Sequence, residues 1–212
     1  MTSIPRLAEV RAVAAERAGT AWRGLFALLV LLALPVWAAP IQPLQLVSDA
    51  RSQVGVTLGY DPVYRRLAYP NGDVPLSTGV CTDVLIRALR VQGLDLQKTV
   101  HEDMAAHFSS YPQSWGLKRP DSNIDHRRVP NLMAWLRRQG LAQPISDQPA
   151  DYRAGDVVTW DLGRGLTHIG IVSDRQSADG VPLVLHNIGR GTREEDILFR
   201  FTIIGHYRFP SS

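Results

Sequence analysis

The stretch GVCTDVLIRALR, residues 79–90, contains the only cysteine of the 212-residue chain. Its apolar residues recur at spacings of three and four, which predicts an amphipathic helix. Thr78 stands in position to cap the helix N-terminus, and Gly93 follows where a helix end favours a residue of positive φ. Cys81 then lies in the first turn, at the positive end of the helix dipole, where the thiolate is favoured over the thiol. We therefore expect the rest of the chain to bring a base to this sulfur.

The first 39 residues have the pattern of a secretory signal peptide. Arg17 and Arg23 precede an uncharged apolar run, residues 24–36, and small residues follow it. The run is shorter than the ~20 residues of a spanning helix, and Pro35 interrupts it, so we expect cleavage. An uncleaved membrane anchor is the alternative, because the basic region is long for a signal. The sequence thus predicts a periplasmic or otherwise exported protein with one domain, residues 40–212.

The predicted domain is nearly neutral. The chain has a formal net charge of +3, and residues 1–39 contain four arginines and two glutamates, so their removal leaves +1. A domain with this net charge lacks the excess of basic residues that nucleic-acid binding requires. A single cysteine permits no internal disulfide, so the fold must depend on a hydrophobic core, which about 170 residues can supply. We expect a monomer that makes no stable membrane contact after signal cleavage.

Helical periodicity is confined to the first part of this domain. It covers residues 44–54, the cysteine stretch, residues 94–108 with Asp95 as the candidate cap, and residues 131–139. Residues 109–128 lack periodicity, and an irregular segment of this length inside a compact domain is more often a functional loop than filler.

Short β-branched runs separated by Gly and Asp turns follow from residue 151 onward. They cover residues 157–160, 167–172, 181–186, 198–204 and 206–209. Such a series predicts an antiparallel meander. Helices followed by strands predict an α+β fold, in which the helices, including the one that carries Cys81, pack on one face of a C-terminal antiparallel β-sheet.

His168 is the best candidate for the base. Strand alternation places His168 and Gly170 on one face, and Gly170 leaves room beside the imidazole. His186 ends the next predicted strand, where it could accept the proton on the far ring nitrogen of His168 and fix its tautomer. Asn187 is the rival third residue, because a one-residue register shift exchanges the faces. A cysteine and a histidine that only pack in the core are the simpler alternative.

These motifs together resemble known families. The helix-start thiol, GDVVTW at residues 155–160 and HIGIV at residues 168–172 resemble the NlpC/P60 cysteine peptidase superfamily, whose fold is circularly related to the papain-like fold. Three longer motifs resemble, more narrowly, the bacterial family called domain of unknown function 1287. They are GVCTDV at residues 79–84, NIDHRRVPNL at residues 123–132 and HNIG at residues 186–189.

The resemblance implies a cysteine amidase or endopeptidase that acts on amide bonds in peptidoglycan peptides through a thioester. It makes Cys81 the nucleophile, His168 the base and His186 the orienting residue, and it implies no cofactor or metal. Backbone N–H groups at the helix start would form the oxyanion hole. Superfamily peptidases commonly carry Asp before the cysteine and Ser after it, whereas this chain has Val80 and Thr82.

Further polar residues are candidates for oxyanion or substrate contacts. They are Thr82, Asp83, Tyr60, Asn123, Asp125, His126, Arg127, Arg128 and Asn187. Within this set, Arg127 or Arg128 could grip a substrate carboxylate bidentately, or Asp125 could pair with Arg127 and merely shape a loop.

Three other functions remain open from the sequence alone. One is a non-catalytic cell-wall binding module on the same scaffold, in which the thiol is incidental. Another is an acyltransferase that uses the same Cys–His site. The third is a zinc site formed by Cys81, His168 and His186.

Overall fold

A computed structural model describes residues 40–210, so the predicted signal peptide lies outside the described residues. Within them, four α-helices form where helical periodicity predicts them. They are α1 (Pro43–Arg51), α2 (Cys81–Val91), α3 (Leu96–Ala106) and α4 (Val129–Arg138). The predicted Asp95 cap is confirmed, since its carboxylate accepts the backbone N–H of Gln97 at 3.0 Å. No helix in this part of the chain is long and apolar enough to cross a bilayer.

Helix α2 begins at Cys81, but its cap differs from the prediction. Thr78 belongs to a two-residue strand, and Val80 occupies the N-cap position without a side-chain acceptor. The carboxylate of Asp83 reaches back and accepts the backbone N–H of Val80 at 2.6 Å. An acidic side chain in the third helical position therefore replaces the predicted hydroxyl cap and fixes the start of the helix.

Strands form two sheets in the described residues. The shorter sheet pairs β1 (Gly59–Tyr60) in parallel with β2 (Thr78–Gly79). The main sheet is antiparallel, with strand order β3-β8-β4-β5-β6-β7. Its strands are β3 (Ala142–Gln143), β4 (Val157–Asp161), β5 (Thr167–Gln176), β6 (Pro182–His186), β7 (Arg193–Glu195) and β8 (Thr202–Tyr207). The predicted meander is confirmed from β4 to β6, β7 adds a further antiparallel strand beside β6, and β8 returns to pair with the other edge of β4.

The end of the chain corrects one prediction. The two strands expected on either side of Gly205 form a single strand, β8, that runs through it. A side chain at Gly205 would approach the Thr159 hydroxyl and the Tyr207 hydroxyl to 2.6 Å each, so this glycine permits close packing inside the strand. Strands β1, β2, β3 and β7 were not predicted, because two or three residues carry no measurable period.

The two faces of the main sheet are buried differently. Helices cover one face, where Ile169, Ile171 and Leu185 pack against the core side of α2 and its neighbours. On the other face, Trp160 and Val172 pack beneath irregular segments that contribute residues such as Tyr152, Ile197 and Leu198. The predicted α+β arrangement with helices on one face of the sheet is therefore present, and loops complete the second face.

Candidate active site

Cys81 is buried at the start of α2, against strand β5. Backbone N–H groups of Ile169, Thr82 and Cys81 itself point toward its sulfur and favour the thiolate. Burial outweighs them and raises the pKa of the thiol to about 12. The expectation of a thiolate in the resting protein is therefore wrong, because a position at the helix start does not compensate for the loss of water.

The backbone N–H of Ile169 points toward the Cys81 sulfur. Because His168 is the preceding residue, the peptide between His168 and Ile169 adjoins the sulfur. Its imidazole is buried and packs against the indole of Trp160 on the loop-covered face of the sheet, with 5.7 Å between ring centroids. No hydrogen bond joins the Cys81 sulfur to this imidazole in the described part of the chain. The structure thus brings the backbone next to His168 to the sulfur, but the His168 imidazole points to the opposite face of the strand, so the expected contact between thiol and imidazole is not present.

A chain of hydrogen bonds runs away from His168. Its Nε2 lies 3.1 Å from Nδ1 of His186, and Nε2 of His186 lies 3.0 Å from Oε2 of Glu195. A carboxylate only accepts, so Nε2 of His186 carries a hydrogen and its Nδ1 accepts from Nε2 of His168. This assignment leaves Nδ1 of His168 unprotonated, as a general base requires.

Both histidines are neutral at pH 7. Burial, together with the neighbouring His186, lowers the pKa of His168 to about 3. Burial also lowers the pKa of His186, although the Glu195 carboxylate opposes this shift. The third member of the chain, Glu195, was missed by the sequence analysis, because it lies on a three-residue strand without a pattern of its own.

Gly170 makes the contact between the two imidazoles possible. The register of β5 and β6 pairs Ile171 with Leu185, which places Gly170 opposite His186 and leaves His168 on the diagonal. A Cβ at position 170 would lie 2.6 Å from Cγ1 of Val184 and 3.2 Å from Cβ of His186. The predicted role of this glycine, leaving room beside the imidazole, agrees with this geometry.

Asn187 does not take the third position. Its side-chain amide donates to the carbonyl oxygens of Gly59 and Gly79, at 3.1 Å each, and its oxygen accepts from Gly189. It therefore ties β1 and β2 to the end of β6, while His186 makes the bond to His168.

Arg127 is not available to a substrate. Its guanidinium forms a bidentate pair with the carboxylate of Asp83, at 3.0 and 2.9 Å, and both side chains are at most 4% exposed. The guanidinium also donates to the carbonyl of Asp61. The predicted alternative of a pair with Asp125 is likewise wrong, because Asp125 pairs with Arg128 at 3.2 Å.

Most of the other residues of this cluster bond to the protein itself, whereas the buried Nδ1 of His126 has no hydrogen-bond partner in residues 40–210. The Asn123 oxygen accepts from the backbone of Leu67, and the Thr82 hydroxyl donates to the carbonyl of Arg127 at 3.2 Å. His126 is buried, and burial lowers its pKa to about 3. Arg128 lies over the ring of Trp115, 4.4 Å from its centroid. The bonds of Asn123, Thr82 and Arg128 within the protein do not support their role as substrate contacts.

Tyr60 is the one oxyanion candidate that combines proximity to the thiol with open surface. It is 43% exposed, on β1. Burial of its hydroxyl, together with the nearby Asp83 carboxylate, raises its pKa to about 12. The hydroxyl is therefore protonated at neutral pH and can donate a hydrogen bond.

A cavity of about 480 Å³ opens beside the histidine chain. It lies between the loop that follows β6 and the segment that precedes β8, and Glu195 forms part of its wall. In residues 40–210, no three His, Cys, Asp or Glu side chains are grouped closely enough to hold a metal ion. This arrangement does not support a zinc site made of Cys81, His168 and His186.

The fold and the site define an α+β domain with a buried helix-start thiol next to a strand whose histidine begins a His–His–Glu chain. Residues 47–209 match the family described as Domain of unknown function (DUF1287), and the chain belongs to this family. It is 60% identical over 166 residues to a protein of Escherichia coli (strain K12) named "Uncharacterized protein YijF", covering 78% of this chain and 81% of that one. No solved structure matches it.

Proposed function

We propose that this protein is an exported cysteine amidase or endopeptidase of the NlpC/P60-like kind. The observation that carries the proposal is the hydrogen-bonded chain from His168 through His186 to Glu195, which begins at the residue next to the Cys81 sulfur. A thiol, an imidazole with a defined tautomer and an acidic end group are the parts that nucleophilic catalysis by cysteine requires.

The first half of the reaction forms a thioester. Nδ1 of His168 takes the thiol proton as the Cys81 sulfur attacks the carbonyl carbon of an amide. Backbone N–H groups at the start of α2 and the Tyr60 hydroxyl donate to the developing oxyanion. The imidazolium then gives its proton to the leaving nitrogen as the C–N bond breaks, and the acyl group stays on sulfur.

The second half releases the acid and restores the enzyme. Water attacks the thioester carbonyl while His168 takes one of its protons, the C–S bond breaks, and the proton returns to the sulfur. In both halves the positive charge on His168 is transient. The His186 ring and the Glu195 carboxylate stabilise it, as an oriented acidic group does in related triads.

Substrate approach must complete the geometry. The resting thiol and imidazole are both neutral and share no hydrogen bond, and catalytic bonds are often long before substrate binds. The Cys81 sulfur packs with Ile169 on the helix-covered face of the sheet, whereas the His168 imidazole packs with Trp160 on the other face, so the reaction requires a rearrangement at the start of β5 that brings Nδ1 to the sulfur. Proton transfer then accompanies attack.

The substrate class follows from the predicted export and the resemblance to cell-wall peptidases. The peptide part of peptidoglycan is the abundant amide polymer outside the cytoplasm of bacteria, and its stem peptides carry free carboxylates. We therefore place the reaction in the periplasm or at the cell surface, with hydrolysis of a stem-peptide amide as the activity.

The test uses the protein purified after export, together with isolated sacculi. We expect mass spectrometry to detect released peptides with the wild-type protein and none with Cys81→Ala. A matched thermal unfolding curve for the variant controls for folding. Release at an unchanged specific activity from Cys81→Ala would overturn the proposal.

One observation favours a second candidate, a non-catalytic cell-wall binding module. The raised pKa of the buried Cys81 thiol is also what a purely structural cysteine would have. A binding module would sediment with sacculi equally well as wild type or as Cys81→Ala and would release no product with either. Release that depends on Cys81 would exclude it.

A further inference from the structure

We propose that the cavity beside Glu195 binds a carboxylate of the substrate, with Arg190 and Arg200 as the recognising groups. This inference rests on the proposed function and specifies its substrate: an amide that also carries a free carboxylate. It replaces Arg127, which the buried pair with Asp83 makes unavailable, as the site of carboxylate recognition.

The size and position of the cavity fit such a role. Its volume of about 480 Å³ lies in the range of ordinary small-ligand sites. Ile188, two residues after His186, lines one side, and Glu195, which bonds His186, lines another. A ligand in the cavity therefore lies against Glu195, the end of the hydrogen-bonded chain that starts at His168.

The charge of the cavity is unbalanced. Arg190, Arg193 and Arg200 line it together with the single carboxylate of Glu195. Glu195 already bonds His186 through one oxygen, and its other oxygen lies 4.0 Å from the guanidinium of Arg193. Across the described residues, the guanidinium groups of Arg190 and Arg200 form no ion pair or hydrogen bond. Two guanidinium groups thus remain for an anion, and guanidinium groups match carboxylates bidentately.

The rest of the lining favours an organic anion. Ile188 is 41% exposed beside the arginines, and Phe201, whose ring lies 5.6 Å from the Arg200 guanidinium, adds apolar surface. A ligand with an aliphatic portion next to its carboxylate would contact both kinds of group. A peptide terminus or an acidic side chain of a stem peptide has this chemistry.

A second basic cavity serves as an internal comparison. It has a volume of about 570 Å³, and Arg66, Lys118 and Arg119 line it. None of its lining residues belongs to the chain from His168 to Glu195. Arg119 therefore supplies a matched control: the same side chain in a basic cavity without a link to the candidate catalytic residues.

The experiment measures binding without turnover. Isothermal titration of the Cys81→Ala protein uses a synthetic stem tripeptide with free carboxylates and the same tripeptide with all of them converted to carboxamides. We expect the free tripeptide to bind at least about tenfold more tightly. Adding Arg190→Gln or Arg200→Gln should weaken that binding by about tenfold without changing carboxamide binding, and adding Arg119→Gln should change neither.

The outcomes separate this inference from the proposed function. The cavity assignment would be overturned by equal affinity for the two tripeptides or by no binding of either. It would also be overturned if Arg119→Gln weakened binding of the free tripeptide while Arg190→Gln and Arg200→Gln did not. Hydrolysis by the wild-type protein in the same preparation is measured independently. Absence of hydrolysis together with the expected binding pattern would reject the enzyme and leave the carboxylate site standing.

Discussion

The Cys81 thiol and the His168 imidazole are both neutral in the resting protein, because burial disfavours either charged form. The pKa of the thiol is raised to about 12, and that of the imidazole is lowered to about 3. A preformed thiolate–imidazolium pair would need water or a substrate to support its charges. The residue chemistry therefore favours proton transfer at the moment of attack.

Alkylation of Cys81 tests this state. We expect labelling by iodoacetamide to be slow at pH 8 and still rising above pH 9, because only the thiolate reacts and the pKa of the thiol is raised. The same protein unfolded in urea should show an ordinary titration near ~8.5. A midpoint below that value in the folded protein would contradict the neutral resting pair.

Glu195 acts as a positioning residue through His186. We expect Glu195→Ala to lower kcat roughly 10- to 100-fold without raising KM, because the tautomer of His168 loses its support while one negative charge leaves the carboxylate cavity. Glu195→Gln should restore much of kcat, since its amide oxygen still accepts from His186. Asp196→Ala, an exposed neighbour, is the matched control. A rise in KM alone would contradict this role.

At the scale of elements, the start of α2 is held by a buried ion pair. Asp83 caps Val80 and pairs with Arg127, so one carboxylate joins the helix that carries the nucleophile to the loop before α4. Burying two charges yields little net stability, but removing one leaves the other unpaired in a dry site. The pair thus fixes the position of the helix start more than it stabilises the fold.

Arg127→Met should therefore lower the free energy of unfolding by about 3–5 kcal/mol, since the Asp83 carboxylate stays buried without a partner. Urea unfolding measures this change. The double variant Asp83→Asn/Arg127→Met should regain part of the loss. Arg65→Ala, which breaks the exposed pair with Asp61, should leave the free energy of unfolding nearly unchanged. Similar losses of unfolding free energy in Arg127→Met and Arg65→Ala would contradict the buried pair of Asp83 and Arg127.

At the scale of the whole molecule, neutral histidines are buried in two separate places. His168 lies in the sheet and His126 in the loop before α4, and burial lowers the pKa of each to about 3. The unfolded chain binds protons at these residues below pH ~6.5, whereas the folded protein does not. Protonation of the unfolded state therefore draws the equilibrium toward unfolding as the pH falls from 6.5 toward 3.

We expect the free energy of unfolding to drop between pH 6.5 and pH 4, with each of these histidines contributing up to roughly 1.4 kcal/mol per pH unit. Urea unfolding at pH 7, 6 and 5 measures the slope. His126→Gln should reduce the slope, whereas replacing the exposed His107 in the same way should not. A stability that is constant over this range would contradict the buried neutral state.

The sequence by itself determined the elements whose signals are local. Apolar spacing located α2 and α4, the Asp95 cap located the start of α3, and β-branched runs between Gly turns located the meander. The sequence also singled out Cys81, His168 and His186, because each stands at a helix start or on a strand where its neighbours define its face. These sequence patterns predict local structure reliably because each depends only on residues a few positions apart.

Only the tertiary structure decided which groups meet. His186, and not Asn187, bonds His168. This follows from the register of β5 and β6 and from the contacts that hold Asn187 against β1 and β2. Long-range packing assigned Arg127 to Asp83 and brought Glu195 to the end of the histidine chain. The protonation of Cys81 was also decided there, because desolvation depends on everything that surrounds the sulfur, whereas the helix start that the sequence identified contributes only a few N–H groups.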